Sequence, residues 1–233
     1  MMYTGPANTT LLRRYTLILI IGISAFILLS LSWPRLRASL RYLPVDTAIS
    51  KYWETREADT GQLDALIVRA QEAIALHDHY RYWGGLSELQ ILSGQDLAKP
   101  YWQRRQVLEQ AIVSATEVVE RAPAKPRAWL RIARTSAFLG YPVDEIVPAW
   151  KMSILTGRVE PTLMVARLEL GLTYFNGLDD EAALLLRDQV VLTWAVHRRE
   201  VLKRLKNGSL DLGLLREVLV GRHEDILAEM EAG

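Results

Sequence analysis

Nineteen consecutive residues without a charge, YTLILIIGISAFILLSLSW (15–33), constrain this chain more than any other feature in it. At about 1.5 Å of rise per residue a helix of this length covers roughly 28 Å, close to the roughly 30 Å hydrocarbon core of a bilayer. Arg13 and Arg14 close one end; Trp33, Pro34, Arg35 and Arg37 close the other, an aromatic followed by cations as interfacial anchors are. A cleaved export signal has a shorter apolar region and ends at small residues. This run ends in Ser-Trp-Pro-Arg, so it reads as a retained, single membrane-spanning helix.

Nothing later reaches that length. The next most apolar stretches, 182–196 and 210–220, are interrupted by Arg187, Asp188, Asp211 and Arg216, and read as core helices of a globular body. The chain therefore divides into an N-terminal tail (1–14), the span (15–33), a juxtamembrane linker or helix (34–58), a helical domain (59–206) and a capping segment (207–233). With 28 basic against 27 acidic side chains, nothing biases it toward nucleic acid. The absence of cysteine excludes disulfides, thiolate metal sites and thiol nucleophiles.

Beyond the span the apolar period is helical throughout, and the expected fold class is all-α. Asp59 and Gln62 form a capping pair ahead of Leu63, Leu66, Ala70 and Ala73. A second helix covers 80–92. A third carries Leu108, Ala111, Ile112, Ala115, Val118 and Val119 and stops at Pro123. Pro126 opens the next, where a missing N–H costs little. The helices also repeat. Pro126 and Pro161 lie 35 residues apart, each after a polar turn and before an apolar helix, and Asp144-Glu145 returns as Asp180-Glu181. Units of helix, turn, helix fall near 80–122, 127–156 and 162–196, followed by a cap helix after Asn207-Gly208. A hairpin of this size cannot bury its apolar face alone, so stacking of neighbours is expected. Leu108, Ile112, Ala115, Val119, Trp129, Ala133, Ile154, Leu168 and Leu172 form the expected core.

The period and the placement of Trp129, Ala133 and Gly140 resemble degenerate tetratricopeptide repeats. The resemblance implies that the first helix of each pair lines a concave groove. Arg127, Arg131 and Arg134 fall at i, i+4 and i+7 on one such helix, and Arg167 holds a comparable place in the next unit. These four are the candidate binding residues, since guanidinium groups suit carboxylates and phosphates; the alternative is a solvated face balancing acids on neighbouring helices. Lys203, Arg204 and Lys206 read as a solvated helix end, His197 as a helix terminus, and Trp53 as juxtamembrane. His77, Asp78 and His79 lack the third and fourth ligands a metal needs. No nucleophile elbow, phosphate loop or metal-ligand spacing is present, so no catalytic residue, metal or cofactor is expected.

A narrower resemblance covers residues 149–181. Leu155, Gly157, Glu160 and Pro161, followed by Gly171, Leu172, Tyr174 and Phe175, are similar to small membrane-anchored helical proteins of bacterial exopolysaccharide biosynthesis clusters. The resemblance implies a setting: a non-enzymatic scaffold in the bacterial inner membrane, with protein partners in a polysaccharide synthesis or export machine. A membrane-bound enzyme subunit acting on glycan and a general envelope-assembly factor are the other readings. An Arg pair directly before the span is the usual start of an uncleaved export signal, which places the domain in the periplasm. Counting the cations on the two flanks points the other way.

Overall fold

The computed structural model describes residues 6–57 and 59–232, with side chains from residue 14 onward; the first five residues of the tail and the side chain of Arg13 lie outside the described residues. Ten α-helices account for nearly all of it, and there is no strand among the described residues. The helices are α1 (Pro6–Thr55), α2 (Leu63–Leu76), α3 (Tyr80–Gln95), α4 (Tyr101–Arg121), α5 (Pro126–Phe138), α6 (Val143–Leu155), α7 (Pro161–Thr173), α8 (Asp180–Lys206), α9 (Leu212–Leu219) and α10 (Glu224–Ala232).

α1 is long and apolar enough to cross a membrane, and every side chain of 15–33 is exposed. It does not end where the charges begin. The helix runs through Pro34 and Pro44, although each proline deletes the bond to the carbonyl four residues earlier. Its second half is a structural part of the globular body: Ala38, Tyr42 and Val45 are buried against Leu66, Ala70 and Ala73 of α2 and Tyr82, Leu86 and Leu89 of α3. The expected linker thus continues the anchor as one element about 75 Å long. Tertiary packing outweighs the proline penalty over 38–49.

The Asp59–Gln62 capping pair is not formed by side chains. Asp59 precedes a short 3₁₀ turn, its carbonyl accepts the Gln62 N–H at 3.1 Å, and α2 starts one residue later. The proline starts are as expected: Pro126 and Pro161 each occupy the first turn of a helix, after Lys125 and Glu160 in nearly the same extended conformation. A proline disfavours the helical region for the residue before it, and the extended Lys125 and Glu160 mark where both helices begin.

Each of α3–α4, α5–α6 and α7–α8 packs as a pair, and α4 joins α3 to α5. The larger core runs from α5 to α10 around Trp150, whose ring is almost wholly inaccessible and whose Nε1–H donates to the Arg167 carbonyl at 2.8 Å. Ile112 and Trp129 are only partly buried; the Trp129 ring instead donates to the Pro123 carbonyl at 2.8 Å and packs beside Tyr80 and Trp83. The other seven expected core positions are buried. Two glycines of the 149–181 segment serve close packing. A Cβ at Gly171 would stand 2.6 Å from Leu186 and 2.7 Å from Trp150, and one at Gly157 would stand 2.7 Å from Pro126.

Five side-chain pairs repeat one separation. Asp46–Arg81, Asp64–Lys99, Arg127–Thr162, Glu169–Arg204 and Trp194–Glu229 are each hydrogen-bonded across 35 residues.

Candidate binding cleft

The end of α1 and the helices α3, α5 and α7 surround a cleft of about 460 Å³, closed at one side by Arg204 of α8. Its apolar part comes from Ile91, Leu92, Leu130 and Phe138, the last 62% exposed although it is a large ring. Its charged part is five arginines (56, 127, 131, 134 and 204) against two glutamates, Glu88 and Glu169.

Three of the four arginines expected to bind are brought together here, on different terms. Arg131 is half-buried: it donates to the Gly84 carbonyl at 2.8 Å and forms an ion pair with Glu88 of α3, so its charge is already met. Arg127 is exposed, donates to Thr162 Oγ1 at 3.0 Å, and lies 5.1 Å from the centre of the Trp53 ring. Arg134 is exposed and has no ion pair or hydrogen bond among the described residues. The helix fixes all three on one stripe, as the spacing predicts.

Arg167 is not in the cleft. It is wholly buried, its Nε–H donating to Ser153 Oγ at 2.9 Å and its other nitrogens to the carbonyls of Ser153 and Gly157. Burial pushes its guanidinium down to about 10, offset in part by Glu160, so it remains charged at neutral pH. Its role is to tie α7 to the end of α6. The polar turn there leaves backbone acceptors free, and a buried guanidinium can satisfy several of them at once.

Two cleft residues were placed elsewhere by the sequence. Arg204, expected in a solvated helix end, pairs with Glu169 of α7 and with Glu200 at 2.8 Å. Trp53, expected near the membrane, stands twenty residues past Trp33 on the unbroken helix, about 30 Å farther along its axis. Its ring carries Arg56 at 4.6 Å as well as Arg127. Arg56 ends α1 in the left-handed region (φ 60°), a conformation that costs a side-chain-bearing residue about 1–2 kcal/mol. The strain sits at the rim of the cleft, where such residues concentrate.

The histidines lie outside the cleft. His77 and His79 stack at 5.8 Å, but Asp78 between them is taken by Arg121 and by the Trp83 Nε1–H, each at 2.7 Å. No group of three or more His, Asp or Glu is arranged to hold a metal among the described residues. His197 stands at a helix boundary, as expected: its backbone is non-helical (φ −124°, ψ 32°), so α8 is two helices joined across a kink there, and its Nε2 lies 2.8 Å from the Pro161 carbonyl. That distance requires the tautomer with the proton on Nε2.

Arg56, Arg127 and Arg134 thus remain without a carboxylate partner beside an exposed aromatic and an apolar floor. The arrangement suits an anionic group carried on a partly apolar segment. No protein-family model and no curated protein matches the chain.

Proposed function

We propose that this chain is a non-enzymatic recognition scaffold, anchored in the bacterial inner membrane by residues 15–33, that holds an acidic segment of a partner protein in the arginine cleft. The observation that carries the reading is the unneutralised charge of Arg127 and Arg134 on one helical stripe, beside the exposed Phe138 ring. Arginines held by a helix lose little freedom on binding, which suits recognition. An open cleft whose glutamates are both ion-paired offers no carboxylate free to move a proton, which favours recognition over bond-making.

The stacked tetratricopeptide-like arrangement is part of the same proposal. The Arg127–Thr162 hydrogen bond supports it, because it links the residues that follow Pro126 and Pro161, equivalent positions of two successive units. The setting, an assembly that makes or exports a cell-surface polysaccharide, rests on the resemblance of residues 149–181, and the periplasmic side of the domain rests on the Arg pair before the span. Changing Arg127 and Arg134 to Glu in the full chain tests the whole reading. The variant should insert and fold normally, release its partner proteins, and lower polysaccharide output; unchanged output with partners retained would sink the proposal.

A further inference from the structure

The end of the globular body next to the span carries a cluster that the cleft does not use. Side-chain contacts fix its level along α1. Arg41 lies 3.5 Å from Glu72 of α2, and Ser39 Oγ lies 3.0 Å from the Tyr82 hydroxyl of α3. α2 runs antiparallel to α1, with Leu66 and Ala73 both packed on it, so its last turn returns toward Trp33. The turn of residues 77–79 therefore sits at the level of Arg35 and Arg37; burial first, then His77, Arg81 and Arg35, disfavour protonation of the His79 ring, which puts Arg35 within electrostatic reach of it. Two to four residues past Trp33 is about 3–6 Å beyond the hydrocarbon edge, inside a headgroup layer about 5–8 Å deep.

The unpaired charge there is mostly cationic. Of the carboxylates of this end, Glu72 is engaged with Arg41, Asp46 with Arg81 at 2.8 Å, and Asp78 and Glu117 with Arg121, while Glu120 is exposed with no ion pair among the described residues. Arg35 and Arg37 are exposed and have no ion pair among the described residues. His79 Nδ1 accepts the Arg81 N–H at 3.3 Å, which leaves the proton on Nε2 as a further donor. Leu36 and Leu40, on the face of α1 opposite Ala38 and Tyr42, are exposed beside these cations. Cations interleaved with apolar side chains fit a lipid interface better than a soluble anion.

We infer that the α2–α3 turn, with Arg35 and Arg37 of α1, is a lipid-contact face that binds anionic phospholipid headgroups and holds the body against the bilayer. The inference rests on the membrane-anchor reading, and the test separates the two. The chain has no cysteine, so single-cysteine variants of the full protein label cleanly. Ala25→Cys in the span, Ala75→Cys at the end of α2 and Ala98→Cys in the α3–α4 connection, all exposed, would each carry a fluorophore in nanodiscs of phosphatidylcholine with or without phosphatidylglycerol. Lipids spin-labelled on the headgroup or acyl chain serve as quenchers. The expected result is acyl-chain quenching at position 25, and headgroup quenching at position 75 several-fold above position 98. The signal at 75 should rise with phosphatidylglycerol, and Arg35→Glu with Arg37→Glu should remove that rise. Quenching at 25 with none at 75, or a signal at 75 indifferent to phosphatidylglycerol, overturns the lipid-contact face and leaves the anchor standing. No quenching at 25 overturns both.

Discussion

Arg167 and the Arg127–Arg131–Arg134 stripe are the same side chain in neighbouring units, and the body treats them oppositely. Arg167 is enclosed where α6 ends, because the Ser153 and Gly157 carbonyls and the Ser153 hydroxyl satisfy its fork. The stripe on α5 is enclosed less completely: Arg131 is met by Glu88 and the Gly84 carbonyl, while Arg134 lines the cleft with no ion pair or hydrogen bond among the described residues. A guanidinium is structural where several acceptors converge on it, and is left for a ligand where they do not.

Removing Arg167 should produce the largest effect. Arg167→Ala leaves a void and three acceptors without a donor, and should lower stability by about 3–5 kcal/mol in denaturant unfolding of the detergent-solubilised chain. A cost under about 1 kcal/mol would erase the distinction between the two sites. Gly171→Ala, which forces a methyl group between Leu186 and Trp150, should cost about 1–3 kcal/mol in the same assay and leave partner binding intact. Arg131→Met strands the carboxylate of buried Glu88 and should cost about 1–3 kcal/mol, placing Arg131 between the extremes. Arg127→Ala and Arg134→Ala should each shift stability by less than about 0.5 kcal/mol. Each should weaken partner capture by about tenfold, the loss of one charge-assisted contact.

The smallest effect concerns an exposed ion pair. Hydrogen bonds from Arg121, then Trp83, hold the Asp78 carboxyl below the usual carboxylate range. A carboxyl with a depressed folded-state value contributes stability that is fully present above about pH 4 and lost as pH falls through that lower value. Thermal unfolding of Asp78→Asn should therefore show a shallower decline than the parent chain between neutral and strongly acidic pH. Parallel curves would assign the parent's decline to other carboxylates.

The parts of this molecule that local chemistry decides were legible in the sequence. The apolar span, the all-helical body, the proline starts at 126 and 161 and the 35-residue spacing all follow from short-range pattern. The shared face of Arg127, Arg131 and Arg134 follows from helix geometry alone. What the sequence could not show depended on distant acceptors. Arg167 looked equivalent to the stripe because nothing local reveals the carbonyls that enclose it. Trp53 read as juxtamembrane because nothing local shows that packing at Ala38, Tyr42 and Val45 carries one helix through Pro34 and Pro44 to the cleft. Arg204 did carry a usable signal: it stands one repeat length from Glu169, the separation that recurs in four other pairs.

Because the anchor and one wall of the cleft are a single helix, bilayer thickness and cleft geometry share a mechanical linkage. A spanning helix adjusts its tilt to the hydrocarbon depth around it. With Trp53 about 30 Å beyond Trp33 along the helix, a tilt of about 10° would carry its ring sideways by roughly 5 Å. The core formed with α2 and α3 moves as its passenger, and α5 is coupled to it through α4 and through the Arg131–Glu88 pair. In the proposed membrane setting, lipid composition would therefore act on the contact between Trp53 and Arg127 at the mouth of the cleft.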